Sequence, residues 1–186
     1  DPYECKDIHT SKDYKVVCLS RSRNQKLMWS HYANGHRGCT LKIAVPKDYQ
    51  KKSCPLKRVQ YSSKLITRSD LAGQELIDAL FVKDKKWERE LEVRAVYDGT
   101  CNTEYWKKYR NQIFLKVDIV QVDLGCFSRF DAHYLDALIA IRDYNVHHKK
   151  KIKVRKYRMS EQRYEFVLDQ SFDYIKEIAD IINSTE

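Results

Sequence analysis

Glycine is scarce in this sequence: five residues in 186, beside three prolines and two methionines. So few glycines make a phosphate-cradling glycine loop an improbable device here. No Walker loop, G-x-G-x-x-G, H-E-x-x-H or G-x-S-x-G occurs. No apolar run approaches the roughly 20 residues that span a bilayer, so no membrane partner is expected. The six cysteines (Cys5, Cys18, Cys39, Cys54, Cys101, Cys126) include no C-x-x-C pair and no Cys/His ligand spacing. Neither a zinc site nor a redox pair is therefore assigned to the cysteines, and the leading reading carries no metal. Half of these cysteines fall in apolar, strand-like runs, where a buried thiol is ordinary. With no signal peptide read, the expected compartment is the reducing cytoplasm.

What is present is a globular balance of 42% apolar and 33% charged residues, with thirteen tyrosines. A chain of this length buries a core without help from disulfides and suits a single domain. The 35 Lys and Arg outnumber 26 Asp and Glu, for a net charge of +9. That excess favours a polyanionic partner such as a nucleotide, nucleic acid or an acidic protein, although many basic proteins bind none of these. The chain opens at Asp1-Pro2-Tyr3-Glu4 without a methionine, and a short preceding segment is expected.

Periodicity predicts a strand at Lys15–Ser20, a short helix from Asn24 to Ala33, and a stop at Asn34-Gly35. A strand from Gly38 to Val45 follows, with Leu41, Ile43 and Val45 facing one way. Another strand is expected at Lys57–Tyr61. Ser69 is the expected N-cap of a helix carrying Leu76, Ile77, Leu80 and Phe81. Glu88–Tyr97 alternates as a strand with Leu91, Val93 and Ala95 on its apolar face. Strands near Gln112–Val117 and Ile119–Leu124 come next, the second ended by Gly125. Ser128 is read as capping a helix to about Tyr144, followed by a hairpin of Lys151–Tyr157 and Arg163–Leu168. A terminal helix carries Phe172, Ile175, Ile178, Ala179 and Ile182. Strands and helices do not alternate regularly, and no linker rich in Pro, Gly or Ser appears. The expected class is α+β, one domain over 1–186, with a mixed or mainly antiparallel sheet flanked by helices.

Three clusters carry candidate chemistry. Trp29, His31 and Tyr32, followed by His36, place two imidazoles, a phenol and an indole close together. Imidazole titrates near neutrality and serves as acid or base, and the rings can stack on a base or a nicotinamide. The plainer alternative makes Trp29 and Met28 core residues. Trp87, Glu90, Glu92 and Arg94 form W-x-x-E-x-E-x-R. On a strand, alternate residues share a face with about 7 Å between neighbours, so both carboxylates and the guanidinium would project together. Paired carboxylates raise one pKa, which a nearby Arg restrains; the alternative is ordinary ion pairing on a solvated face. The third cluster is basic: Lys149, Lys150, Lys151, Lys153 and Arg155, with Tyr157 interleaved. This is the composition of surfaces that hold phosphates, or simply of a solvated hairpin.

Leu27-Met28-Trp29-Ser30-His31-Tyr32-Ala33 with His36 and Gly38, together with Trp87-x-x-Glu90-x-Glu92-x-Arg94, resembles the signatures of a bacterial domain-of-unknown-function family. Its members often read L-M-W-S-H-Y-A, a spaced H-x-G, and W-x-x-E-x-E-x-R. Asp1-Pro2-Tyr3-Glu4 resembles the family's N-D-P-F-E segment, and Ser20 sits where the family often has C-F-S. The likeness covers residue 1 to about residue 97, with a looser match beyond. The strand that precedes N-D-P-F-E in the family has no counterpart here. The resemblance implies a role in phage defence or toxin-like systems and supplies no reaction.

The leading expectation is an enzyme acting on NAD or another nucleotide, with an ADP-ribosyltransferase-like activity. Glu92, with Glu90, His31 and Tyr32, would be catalytic, and Trp29, His36, Arg94 and Trp87 would bind substrate. NAD is the candidate substrate, and no cofactor is assigned. Two alternatives stay open: a metal-dependent nuclease using Glu90, Glu92 and His31 as ligands, and a non-catalytic domain binding nucleic acid or a partner. Both enzymatic readings expect His31, Tyr32, Glu90, Glu92 and Arg94 around one cavity.

Overall fold

The computed structural model describes residues 14–22, 25–46, 49, 56–64, 74–99, 104–110, 112–128, 132–163 and 165–184. It is an α+β protein whose sheets are mostly antiparallel. The chain divides into two compact units, Asp1–Ser22 with Val45–Lys116, and Arg23–Ala44 with Val117–Glu186.

In the first unit, β1 (Lys15–Ser20), β6 (Glu92–Tyr97) and β3 (Leu56–Arg58) form an antiparallel sheet with β6 in the middle. Alternation along β6 sends Ala95 to a core with Tyr49, Tyr105 and Trp106, joined by Val17, Leu56 and Ile113. Glu92 and Arg94 lie on the opposite face, paired in register with Ser20 and Cys18 of β1. The strand expected at Lys57–Tyr61 is instead two. β3 ends before the buried Val59, and β4 (Gln60–Ser62) pairs in parallel with β5 (Val82–Asp84). The helix α2 (Gln74–Ala79) buries Leu76 and Ala79 and stops before Leu80 and Phe81. Its expected cap, Ser69, lies outside the described residues. Strands β7 (Trp106–Tyr109) and β8 (Gln112–Leu115) make a hairpin; the first of them had no expectation in the sequence.

The second unit is a four-stranded sheet in the order β11 (Phe166–Leu168), β10 (Lys153–Met159), β9 (Asp118–Leu124), β2 (Cys39–Ala44). The pair β9–β10 is parallel and the others antiparallel. One face carries Val122, Leu124 and Val154 against Leu138 of α3 (Ala132–His148) and Ile178 of α4 (Tyr174–Ser184). The helix α1 (Lys26–Tyr32) ends as Asn34 and Gly35 take positive φ, at 48° and 58°. The expected apolar face of β2 is not buried throughout: Leu41 is 53% exposed, and the ladder with β9 shifts register between Lys42 and Ile43. Residues 129–131, between Ser128 and α3, lie outside the described residues; the Ser128 hydroxyl donates to the Gly125 carbonyl at 2.8 Å.

Candidate functional site

The W-x-x-E-x-E-x-R segment folds differently from the single strand its spacing predicts. Asp84 caps a 3-10 turn over Lys85–Glu90, its carboxylate accepting from the Lys86 amide at 2.8 Å. Leu91 then takes a left-handed conformation at φ 47°, and β6 begins only at Glu92. Leu91 is therefore not a strand residue on an apolar face. The two carboxylates nevertheless converge, because Lys83 on β5 donates to Glu90 at 2.5 Å and to Glu92 at 3.2 Å.

Arg94 completes the cluster. Its Nε donates to Glu92 Oε1 at 2.8 Å and its Nη2 to Oε2 at 3.2 Å, while Nη1 reaches the Leu80 carbonyl. Glu90 and Glu92 are both buried, at 4% and 5% exposure, so their charges depend on these cations. The Glu92 amide donates to the Tyr61 hydroxyl at 2.8 Å, and Ser20 donates to the Glu90 carbonyl at 2.7 Å. The site thus draws on β1, β4, β5, the 3-10 turn and β6.

Of the two opposed effects expected for paired carboxylates beside an arginine, the arginine's prevails at Glu92. Burial by itself would raise the Glu92 pKa, but hydrogen bonds from Arg94 and the Cys18 thiol, with the charges of Arg94 and Lys83, carry it below its ordinary value. Burial would likewise lower Lys83, yet its bond to Glu90 and the charges of both carboxylates hold it above the usual range. Glu92 is therefore a permanent anion at neutral pH and a poor proton donor. Cys18 is pushed up to about 11 by desolvation and then by its bond to Glu92 and that anion's charge. Cys18 and Cys39 belong to exposed strand positions. Their sulfurs are nonetheless shielded enough that burial raises both thiols.

Trp87 sits at the edge of this cluster, 39% exposed, with the Lys83 ammonium 5.1 Å from its ring centroid. Lys83 and Cys18 went unrecognised as site residues. Lys83 belongs to no motif; it lies on β5, one 3-10 turn ahead of the carboxylates it pairs with.

The second motif lies in the other unit. Trp29 is a packing residue, 4% exposed, with its ring edge-on to Tyr157 at 5.8 Å. Tyr32, at 63% exposure, presents its ring to solvent beside His31, their centroids 6.3 Å apart. His36 adopts φ 66°, and its ring packs on Phe166 at 4.5 Å. Burial lowers the His36 pKa, and its Nδ1 has no hydrogen-bond partner among the described residues. The backbone explains the H-x-G spacing. His36 N–H donates to the Trp29 carbonyl, Phe127 N–H donates to the His36 carbonyl, and Gly125 N–H donates to that of Gly38. A Cβ on Gly125 would lie 2.0 Å from the His36 carbonyl oxygen, so only glycine fits. The segment 33–38 is thereby fastened to the end of β9.

The two motifs belong to different units, and neither unit by itself brings His31 and Tyr32 together with Glu90, Glu92 and Arg94. Among the described residues, no three His, Cys, Asp or Glu side chains are grouped to hold a metal ion. In the basic segment, Lys149, Lys151 and Lys153 are exposed. Lys150 pairs with Asp118 at 2.8 Å, and Arg155 is bidentate to the buried Asp123 at 2.8 and 3.1 Å. Among the described residues, no helix is long and apolar enough to cross a membrane. No protein-family model, curated protein or solved structure matches the chain at a significant level.

Proposed function

We propose that the protein is an enzyme acting on NAD or another nucleotide, with the Lys83, Glu90, Glu92 and Arg94 cluster as its site and transfer of an ADP-ribosyl group as its reaction. The observation that carries this reading is a buried carboxylate pair, with Glu92 held as an anion, beside an exposed indole. In ribosyl transfer the C–N bond to nicotinamide breaks, the pair of electrons leaves with the base, and positive charge develops on the ribosyl carbon before the acceptor attacks it. A fixed anion favours that charge, as carboxylates do in glycosyl transfer. Glu92 serves by its charge rather than by moving a proton, and Lys83 and Arg94 keep it ionised and in place. Trp87 offers a stacking surface for the nucleotide base. The bacterial defence or toxin-like setting that the motif resemblance implies belongs to the same proposal.

A specific observation favours a second, separable function. Lys149, Lys151 and Lys153 are exposed, and the chain's net charge is +9. Such cations bind a phosphate backbone without reading its sequence.

The test is incubation of wild type, Glu92→Gln and Trp87→Ala with labelled NAD, cell extract and nucleic acid, with and without EDTA. Label transfer by wild type, lost in Glu92→Gln and weakened in Trp87→Ala, supports the enzyme. Intact NAD under all conditions rejects it, and EDTA-sensitive loss of nucleic acid favours a metal-dependent nuclease. Removing one anion from a buried ion cluster costs up to about 3–5 kcal/mol. Glu92→Gln is therefore scored only where circular dichroism shows a folded protein. Trp87→Ala, at the cluster's exposed edge, carries the test where it does not.

A further inference from the structure

We propose that the C-terminal end of α3 is a contact site for single-stranded nucleic acid. Lys149 and Lys151 hold phosphate there, and the ring of His148, backed by Tyr144, stacks on a base. This deepens the nucleic-acid reading of the exposed lysines and rests on it. It adds a ligand class and the rings that recognise it.

Tyr144 and His148 stand at i and i+4 near the end of α3, and such neighbours share a helix face. Their ring centroids lie 4.4 Å apart, with the planes inclined at 36°. Both residues are exposed, Tyr144 at 39%. The helix ends at His148, and Lys149 takes a left-handed φ of 50°. No further helical turn follows to cover the outer side of the His148 ring. That side is left for a base, and imidazole is among the rings on which unstacked bases lie.

The lysines beside the rings are held rather than loose. Asn145 spans the turn: Ile152 N–H donates to its Oδ1 at 2.8 Å, and its Nδ2 donates to the Ile152 carbonyl at 3.2 Å. Ile152 is itself buried in the core with Val122, Leu124 and Leu138. Lys149, Lys150 and Lys151 are thus carried on a short arch with both feet fixed. Such an arch has less freedom to lose on binding than a free tail. Lys150 is occupied, donating to Asp118 at 2.8 Å and interacting with the Tyr144 hydroxyl. Asp143, the neighbouring acid on α3, is engaged by Arg142 at 2.9 Å. Lys149 and Lys151 remain, both exposed and in no ion pair among the described residues. Position 149 is informative in itself. A left-handed helix end favours glycine, and a lysine there carries a conformational cost that glycine would not. Cations beside an exposed ring are how single-strand binders hold a chain; duplex readers insert a helix or a ribbon into a groove.

The experiment is fluorescence anisotropy of a labelled oligothymidylate about 20 nucleotides long, longer than one fold's site, titrated over a range of salt. Wild type is expected to bind with affinity falling as salt rises. Lys149→Gly should weaken binding about threefold and reduce the salt slope by about 0.7. Its melting temperature should be equal to wild type or higher, since glycine relieves the left-handed position, so the loss is not one of folding. His148→Ala should weaken binding about fivefold or more, and His148→Phe, which keeps a ring, should stay within about twofold. An abasic oligomer of the same length should bind wild type and His148→Ala alike. Lys107→Ala, an equal loss of charge on exposed β7 of the first unit, should shift affinity less than about twofold. Wild-type binding of the oligothymidylate by His148→Ala would overturn the stacking site and leave the charge reading of the lysines standing. No binding by wild type at low salt would sink both. Equal losses from Lys149→Gly and Lys107→Ala would reduce the effect to net charge, and a duplex bound as tightly as the single strand would overturn the ligand class.

Discussion

Glu92 is caught between opposing effects of similar kind: burial disfavours its charge, and two cations and a thiol hydrogen bond favour it. The cations win, so its folded-state pKa lies below its unfolded one. The stabilisation this gives is present above the unfolded carboxylate pKa and is lost as pH falls through the folded value. Cys18 has the opposite sign. Its folded pKa is raised to about 11, so its contribution is present below the unfolded thiol pKa near 9.0 and disappears as pH climbs toward 11. The same shift makes a chemical prediction. At pH 8 the Cys18 thiol should react with iodoacetamide well over tenfold more slowly than a free cysteine, because the thiolate is the nucleophile. Desolvation is the larger cause and the Glu92 anion the next, so Glu92→Gln should restore only part of the rate. Mass spectrometry of the labelled Cys18 peptide measures both; a Cys18 as fast as a free thiol would refute the account. The spacing of Glu90, Glu92 and Arg94 was enough to group these residues from sequence. It could not show Lys83, which meets them across the 3-10 turn after β5, or Cys18, which joins them through pairing of β1 with β6.

At the scale of elements, strands with strong alternation and β-branched residues were legible, and the irregular joints were not. Lys15–Ser20 is a strand over the predicted bounds, and the Lys151–Leu168 hairpin forms as β10 and β11. The Glu88–Tyr97 segment failed at its start because Asp84 caps a 3-10 turn, and a left-handed Leu91 resets the chain before β6. Periodicity cannot register that event: a turn of this kind keeps Glu90 and Glu92 on one side much as a strand would. Leu41 is likewise exposed despite an apolar pattern, on a strand at the end of its sheet's order. Glycine is informative in proportion to its scarcity. Gly125 ends β9 where expected and opens a turn closed by the Ser128 N–H on its carbonyl, and its Cα lies tight against the His36 carbonyl. Gly125→Ala should therefore force the 33–38 segment off β9 and destabilise the protein by about 1–3 kcal/mol, in the manner of an overpacked core. Gly99→Ala is the comparison: Gly99 has φ +84° but nothing within 4 Å of an added Cβ, so its cost is conformational alone. Urea denaturation of the two variants separates steric from conformational cost, and an undisturbed midpoint in Gly125→Ala would contradict the packing described.

At the scale of the whole molecule, the chain's path is the feature that composition conceals. Residues of the second unit come from two stretches, Arg23–Ala44 and Val117–Glu186, with Val45–Lys116 of the first unit between them. No linker rich in Pro, Gly or Ser marks either crossing, so nothing in the sequence announced a division. The consequence is that β9 owes one of its neighbours to a strand that precedes it by more than seventy residues: Cys39–Ala44 pairs with Asp118–Leu124 in an antiparallel ladder. Gly125 owes its partner carbonyls to the same early stretch. A fragment of 117–186 keeps α3, α4, β10 and β11 but exposes the edge of β9, with Ile119 and Val120 already partly open to solvent. Unpaired, apolar edges of this kind seek other chains. The fragment should therefore self-associate and show weak, broad thermal unfolding by circular dichroism. Adding a separate peptide of 23–44 should restore a cooperative transition, since it returns α1, the 33–38 fastening and β2 together. The same peptide with Gly38 replaced by valine should fail, because even a Cβ there lies 3.1 Å from the Ala33 carbonyl oxygen. A fragment that is monomeric and cooperative without the peptide would show that the early stretch is dispensable to the second unit's fold.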